Sequence, residues 1–191
     1  MDTIGNLAYH EEPRYEIIHG KIAAMSPATP LHNHIAGNIF LIFGSYLKRK
    51  KCDPFSDGTA VYLSEQHRFI PDFMIVCDRS KIQSRWVYGA PDLLVEIISP
   101  STAKNDRLHK KNVYEASGVP EYWIVSPKEK SIEVYILQDG QYILDNLYTY
   151  YSGEELEDMT EEEKSLLVTE FKCHLYDDLS IRLDDIFGDL F

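Results

Sequence analysis

Apolar residues recur along the chain with two different periods, and the change of period marks out the elements. YEIIHGKIAAM, residues 15–25, places two β-rich runs around His19-Gly20 and predicts a hairpin. After the loop SPATP, residues 34–51 carry Ile35, Ile39, Ile42 and Tyr46, with Ala36, Phe40, Phe43 and Leu47 alongside, which are helical spacings. GTAVYLSE and FIPDFMIV, residues 58–65 and 69–76, read as strands. Asp92 to Ile98 is apolar on both faces, as a central strand covered on both sides should be.

Asn105 to Ser117 reads as a helix, with Gly118 as a left-handed stop and Pro120 just beyond. EYWIV, residues 121–125, is the next strand, so strand, helix and strand form a βαβ unit with parallel strands and a right-handed crossover. SIEVYILQDGQYIL, residues 131–144, predicts a second hairpin, because Asp139-Gly140 suits a two-residue type I′ turn. Thr160-x-x-Glu163 has the form of a capping box, and LYDDLSIRLDDIF, residues 175–187, is expected to pack back onto the sheet. The order of elements implies one α/β domain with a mixed central β-sheet flanked by helices. An acidic C-terminal extension runs from about residue 153.

Length and composition agree with a globular chain: 191 residues, 44% hydrophobic and 26% charged. Cys52, Cys77 and Cys173 are odd in number and scattered, with no CxxC pair, which predicts free thiols and a reducing, cytoplasmic setting. The N-terminal MDTIGNLAYHEEPRYE shows no basic start followed by an apolar stretch, hence no secretory signal. No apolar run is long enough for a membrane span.

The net charge of −12 looks hostile to nucleic acid but is unevenly placed. Residues 153–191 carry a balance of −10, whereas residues 1–152 carry only −2 and hold basic clusters at 48–51 and 104–111. A local site for a polyanion therefore remains open.

Against that background two acids stand out. Glu96 sits in the middle of the most apolar strand and Asp72 inside another apolar run. Ionised carboxylates are costly to bury unless a metal or a cation meets them. On the following helix Asp106, Lys110 and Tyr114, spaced i, i+4 and i+8, form one stripe that the crossover turns towards Glu96. Two carboxylates and a lysine around one pocket suit a magnesium or manganese ion and phosphodiester chemistry. A pocket open to water would let the fold tolerate Lys110→Met. The alternative is a buried salt bridge between Glu96 and Lys110, with Asp106 a first-turn acid favoured by the helix dipole.

The motifs YEIIHGKI, the His34 helix, IPD, DLLVEIISPST, NDRLHKKNVY, GVPEYWIV and LDDIF together resemble the Uma-type, restriction-endonuclease-like family of the PD-(D/E)XK nuclease superfamily. The resemblance implies a core of helix, three strands, helix and strand, with a metal-dependent nuclease site acting on nucleic acid, DNA before RNA. It also allows a homodimer. By position, Asp72 is the motif aspartate and Glu96 the next acid; both would hold Mg2+ or Mn2+, with Glu16 as an additional ligand. Where the superfamily has E-x-K, this chain has Glu96-Ile97-Ile98, and the lysine comes instead from the helix as Lys110, with Asp106 one turn before it. His32 and His34 are two apart near a helix start, so only one can face the site; His34 is the candidate, and a core or capping histidine is its alternative. Ser126 stands where an aspartate is common, and the insert EELEDMTEEEK is atypical. Two other readings stay open: a non-catalytic module binding nucleic acid or protein on the same fold, and another metal-dependent phosphohydrolase.

Overall fold

A computed structural model describes residues 14–100, 102–188 and 190 of the chain. Up to residue 13, the stretch read above for a secretory signal lies outside the described residues. The chain starts with the predicted hairpin, β1 (Tyr15–Ile18) and β2 (Lys21–Ala24). Its turn residues His19 and Gly20 both have positive φ, 50° and 72°, as a type I′ turn requires.

Helix α1 (Pro30–Leu47) begins four residues before the sequence reading placed it. The Thr29 hydroxyl caps it by accepting from His32 N at 3.2 Å, and Pro30 takes the first helical position, where its missing N–H costs nothing. The helix stops at Leu47, and Arg49 turns left-handed with φ 68°, so the 48–51 cations lie beyond the last turn.

β3 (Asp53–Ser56), β4 (Ala60–Ser64) and β5 (His67–Phe69) follow. The run FIPDFMIV is not one strand. β5 ends at Phe69 and β6 (Phe73–Val76) starts three residues after Pro71's predecessor Ile70, because Pro71 has no N–H to continue a ladder. At this break the chain leaves one sheet for the other. β7 (Trp86–Tyr88) and β8 (Leu93–Ile97) complete the first half.

The predicted crossover helix opens as a π-helical stretch, Asn105–Lys110, and tightens into α2 (Lys111–Ala116). It ends where expected, with Gly118 at φ 79° and Val119 N bonded back to Tyr114 O at 3.1 Å. β9 (Glu121–Ser126) runs parallel to β8, and the second hairpin, β10 (Ser131–Gln138) and β11 (Gln141–Thr149), turns at Asp139-Gly140 as predicted. Two short acidic helices, α3 (Gly153–Glu157) and α4 (Glu161–Ser165), each open with a capping box. β12 (Glu170–Phe171), β13 (Ile181–Arg182) and α5 (Leu183–Phe187) close the chain.

The architecture is mixed α/β. A six-stranded mixed sheet runs β11-β10-β9-β8-β6-β3, and a five-stranded sheet runs β2-β1-β5-β4-β7. β8 divides two cores, as its pattern predicts. Leu93, Val95 and Ile97 pack with α1 and the C-terminal segment, where Ile181, Leu183, Ile186 and Phe187 come back onto the sheet. Leu94 and Ile98 face the other way, towards Phe69, Val113 and Tyr114. Among the described residues no helix is long and apolar enough to cross a membrane.

The cysteine reading needs correction. Cys52 and Cys77 form a disulfide, and only Cys173 is free. β3 pairs antiparallel with β6, Asp53 opposite Val76, so the residues flanking that pair meet although 25 positions separate them. An odd count with no CxxC does not reveal a bridge that strand register makes.

Candidate active site

Strand register brings the two conspicuous acids together. β6 and β8 are antiparallel with Phe73 opposite Val95, and continuing that ladder by one residue sets Asp72 across from Glu96. Asp72 is fixed there by its own carboxylate, since Oδ2 accepts from Ile97 N at 2.7 Å. Its other oxygen, Oδ1, lies 3.1 Å from His32 Nε2.

Glu96 lies on the face of β8 that meets the crossover helix. Its Oε1 accepts from Tyr114 OH at 2.6 Å and from Lys110 Nζ at 3.1 Å. Lys110 is the hub of the cluster, for its ammonium also reaches Glu16 Oε1 at 2.9 Å and Asp106 Oδ1 at 3.5 Å. Glu16 comes from the inward face of β1, and its Oε1 also accepts from Ile70 N at 3.0 Å, which ties the hairpin to the chain just before Asp72. Glu16, Asp72, Glu96, Asp106 and Lys110 are all buried, and Phe69 lies with its ring centroid 5.7 Å from the Lys110 ammonium. π-Helical turns are rare and recur at functional sites; here one carries both Asp106 and Lys110 inwards.

The charge balance explains how these groups titrate. Burial, the largest influence, pushes the Glu96 carboxyl well above its usual range; Lys110 pulls it back, and the charges of Asp106, Asp72 and Glu16 push it up again. Asp106 is raised mainly by burial as well. Burial alone would lower Lys110, but the charges of Glu96, Glu16 and Asp106 reverse that and hold it above the ordinary lysine range. These shifts belong to one balance: a single ammonium cannot neutralise three carboxylates, so Lys110 stays charged while Glu96 and Asp106 take up protons more readily than ordinary carboxyls. Burial also opposes charge on His32, yet the hydrogen bond and charge of Asp72, helped by Asp57, keep its pKa above the ordinary value.

The cluster suits a hard divalent cation in charge and in donor type. Four carboxylates, Glu16, Asp72, Glu96 and Asp106, face one lysine and one histidine, so anionic donors outnumber the cations beside them. His32 Nδ1 is buried with no hydrogen-bond partner beside that excess. All the anionic donors are oxygens, which magnesium and manganese prefer. Among the described residues no three His, Cys, Asp or Glu side chains form a ready-made metal cage. Magnesium usually takes only one or two protein carboxylates, so the pair Asp72 and Glu96 is a sufficient set.

The structure gathers Glu16, Asp72, Glu96, Asp106 and Lys110 in one place. Of the two histidines it brings His32 to Asp72; His34, two positions further on and so on the other side of the helix, is half-buried. The only sequence signal for His32 was its position in the first turn, which the reading of SPATP as loop concealed. Two further differences concern charge. Lys110 is enclosed rather than open to water. The basic run 104–111 is not one surface: Arg107 pairs with Glu133 at 2.7 Å, Lys111 lies 3.9 Å over the Tyr135 ring, and Lys110 is inside.

Comparison with known proteins gives a family and a fold. A family model described as Uma2, "Putative restriction endonuclease", matches residues 4–169. An uncharacterized protein of Synechocystis is 27% identical over 150 residues, 77% of each chain. The crystal structure of a putative nuclease belonging to DUF820 from Anabaena variabilis superposes with a TM-score of 0.70 at 18% identity, covering 94% of this chain and 93% of that one. At that identity the likeness is one of fold.

Proposed function

The chain belongs to the Uma2 family, and on that premise we propose that it hydrolyses phosphodiester bonds of nucleic acid, DNA first, using a magnesium or manganese ion. The observation that carries this reading is the opposition of Asp72 and Glu96 across the β6–β8 ladder, beside a buried lysine and an excess of anionic donors over cations. Asp72 and Glu96 would hold the ion, which when bound supplies an acidified water and neutralises charge developing on phosphorus. Ile97 N keeps the Asp72 carboxylate turned towards Glu96. Lys110 draws the Glu96 carboxyl part of the way back towards its anion and would present its ammonium to a phosphate oxygen or to the attacking water. His32, with its raised pKa, is placed to give a proton to the leaving oxygen from the imidazole that Asp72 orients.

One observation favours a second reading, a non-catalytic module that binds nucleic acid. An ammonium has three donors, and Lys110 directs its own at three carboxylates. The deciding experiment incubates purified protein with single-stranded and duplex DNA and RNA, with and without magnesium or manganese. Metal-dependent cleavage that Asp72→Ala abolishes supports hydrolysis; binding without cleavage under every condition supports the second reading.

A further inference from the structure

The five-stranded sheet has an outer face that the catalytic reading does not use. Register fixes what lies on it. Ile22 is opposite Ile17, Ile17 opposite Arg68, Arg68 opposite Tyr62, and Tyr62 opposite Tyr88, so one row crosses all five strands. Residues two apart share a face, which adds Tyr15 and Trp86 to that side. The residues between them, Glu16, Val61, Phe69 and Val87, are buried on the opposite face.

The outer face is aromatic and open. Tyr62 has its ring 4.8 Å from Trp86 and 5.3 Å from Tyr88, centroid to centroid, and the Arg68 guanidinium lies 4.0 Å over Tyr15 and 5.8 Å from Tyr62. Tyr15 is 41% exposed, Tyr88 47% and Ile22 73%. Glu16 is the only acid in the five strands and points inward, so this face carries Arg68 and no carboxylate in a chain of net charge −12. Arg68 donates from Nη2 to Tyr15 O at 2.6 Å, while its Nε is buried with no hydrogen-bond partner.

We propose that this face is a stacking platform for unpaired bases of single-stranded nucleic acid, centred on Tyr62, Tyr88, Trp86 and Arg68. The inference rests on nucleic acid being the substrate. Aromatic side chains bind single strands because every base has a π-face to offer, and an intervening arginine adds stacking and charge. A duplex keeps those faces within its own stack, so the platform selects melted, looped or single-stranded segments. The lack of carboxylates beside Arg68 spares a polyanion the repulsion that a chain of net charge −12 would otherwise impose, and the aromatic rings give its bases surfaces to stack on.

The test uses the full chain in EDTA, so that cleavage does not interfere, and an oligodeoxythymidylate of about 12 nucleotides, a length in the range of known single-strand sites. The chain has two tryptophans; Trp123 is fully buried, so quenching on titration reports Trp86. Expected are quenching that Trp86→Phe removes, tighter binding of the single strand than of a duplex, and a loss of about tenfold in single-strand affinity for Tyr88→Ala. Tyr88→Phe should restore affinity, and the melting temperature of Tyr88→Ala should stay near wild type because Tyr88 is half exposed. Unchanged affinity in Tyr88→Ala, or a preference for duplex, would overturn the platform. So would a concentration-dependent dimer that Tyr88→Ala breaks without altering oligonucleotide binding, since the face would then belong to a second copy. Cleavage in manganese is read separately: quenching without cleavage supports the platform while defeating the nuclease reading, and cleavage without quenching does the reverse.

Discussion

His32 Nε2 lies 3.1 Å from Asp72 Oδ1, although the two residues come from different elements, the first turn of α1 and the entry to β6. The contact predicts how His32 titrates. Its pKa is raised in the folded chain, so the stability it contributes is complete below the unfolded value, about 6.5, and is lost as pH rises through the folded value. In metal-free protein, NMR titration should place the His32 midpoint above 6.5, and Asp72→Asn should lower it, because burial is then opposed only by Asp57 and Asn33. A His32 midpoint that does not move in Asp72→Asn would show that the pair is not coupled.

The opposition of Asp72 and Glu96 predicts divalent-ion binding that needs both. Calorimetry with magnesium or manganese should show one binding event in the wild type. Asp72→Ala and Glu96→Gln should each weaken it at least about tenfold, the scale on which losing one group of a metal site is felt. Wild-type affinity in either variant would remove that residue from the ligand set.

Much of this arrangement can be read from the sequence, for physical reasons particular to each residue. Asp72 and Glu96 are visible because a lone acid in an apolar run is costly without a partner. β8 is visible because it is apolar on both faces, and the two hairpins because His19-Gly20 and Asp139-Gly140 occupy left-handed turn positions. The choice of His32 over His34 is not visible, because it depends on the phase of α1, and the phase depends on a cap and a proline that look like loop. β3, β5 and β7 escape because three or four residues are too few to show a period. The enclosure of Lys110 escapes because sequence spacing says which stripe a side chain occupies, not whether water reaches it.

The disulfide gives a prediction independent of the site. In denaturant, alkylation should modify one thiol before reduction, Cys173, and three after it. Closing a loop of this size restricts the unfolded chain, so reduction should lower unfolding stability by about 3 kcal/mol in chemical denaturation. Three modifiable thiols in the unreduced protein would mean that Cys52 and Cys77 are neighbours without a bond.

The last prediction concerns Lys110, whose ammonium is buried among Glu16, Glu96 and Asp106. Methionine keeps most of the stem's packing and deletes the charge, so Lys110→Met tests electrostatics rather than volume. Removing the cation from a buried set of acids should cost about 3–5 kcal/mol at pH 7. The deficit should shrink as the pH falls, because Glu96 and Asp106 already hold protons above their usual range and take them up more readily without Lys110. Millimolar magnesium or manganese should restore part of the melting temperature if Asp72 and Glu96 bind the ion, since ligand binding to the folded state stabilises it by mass action. A purely structural ion pair has no reason to respond to metal in this way. Cleavage by the rescued, folded variant should still be down at least about a hundredfold, the scale of losing one preorganised charge at a reacting phosphate. Full specific activity in metal-rescued Lys110→Met would confine the lysine to holding the fold together.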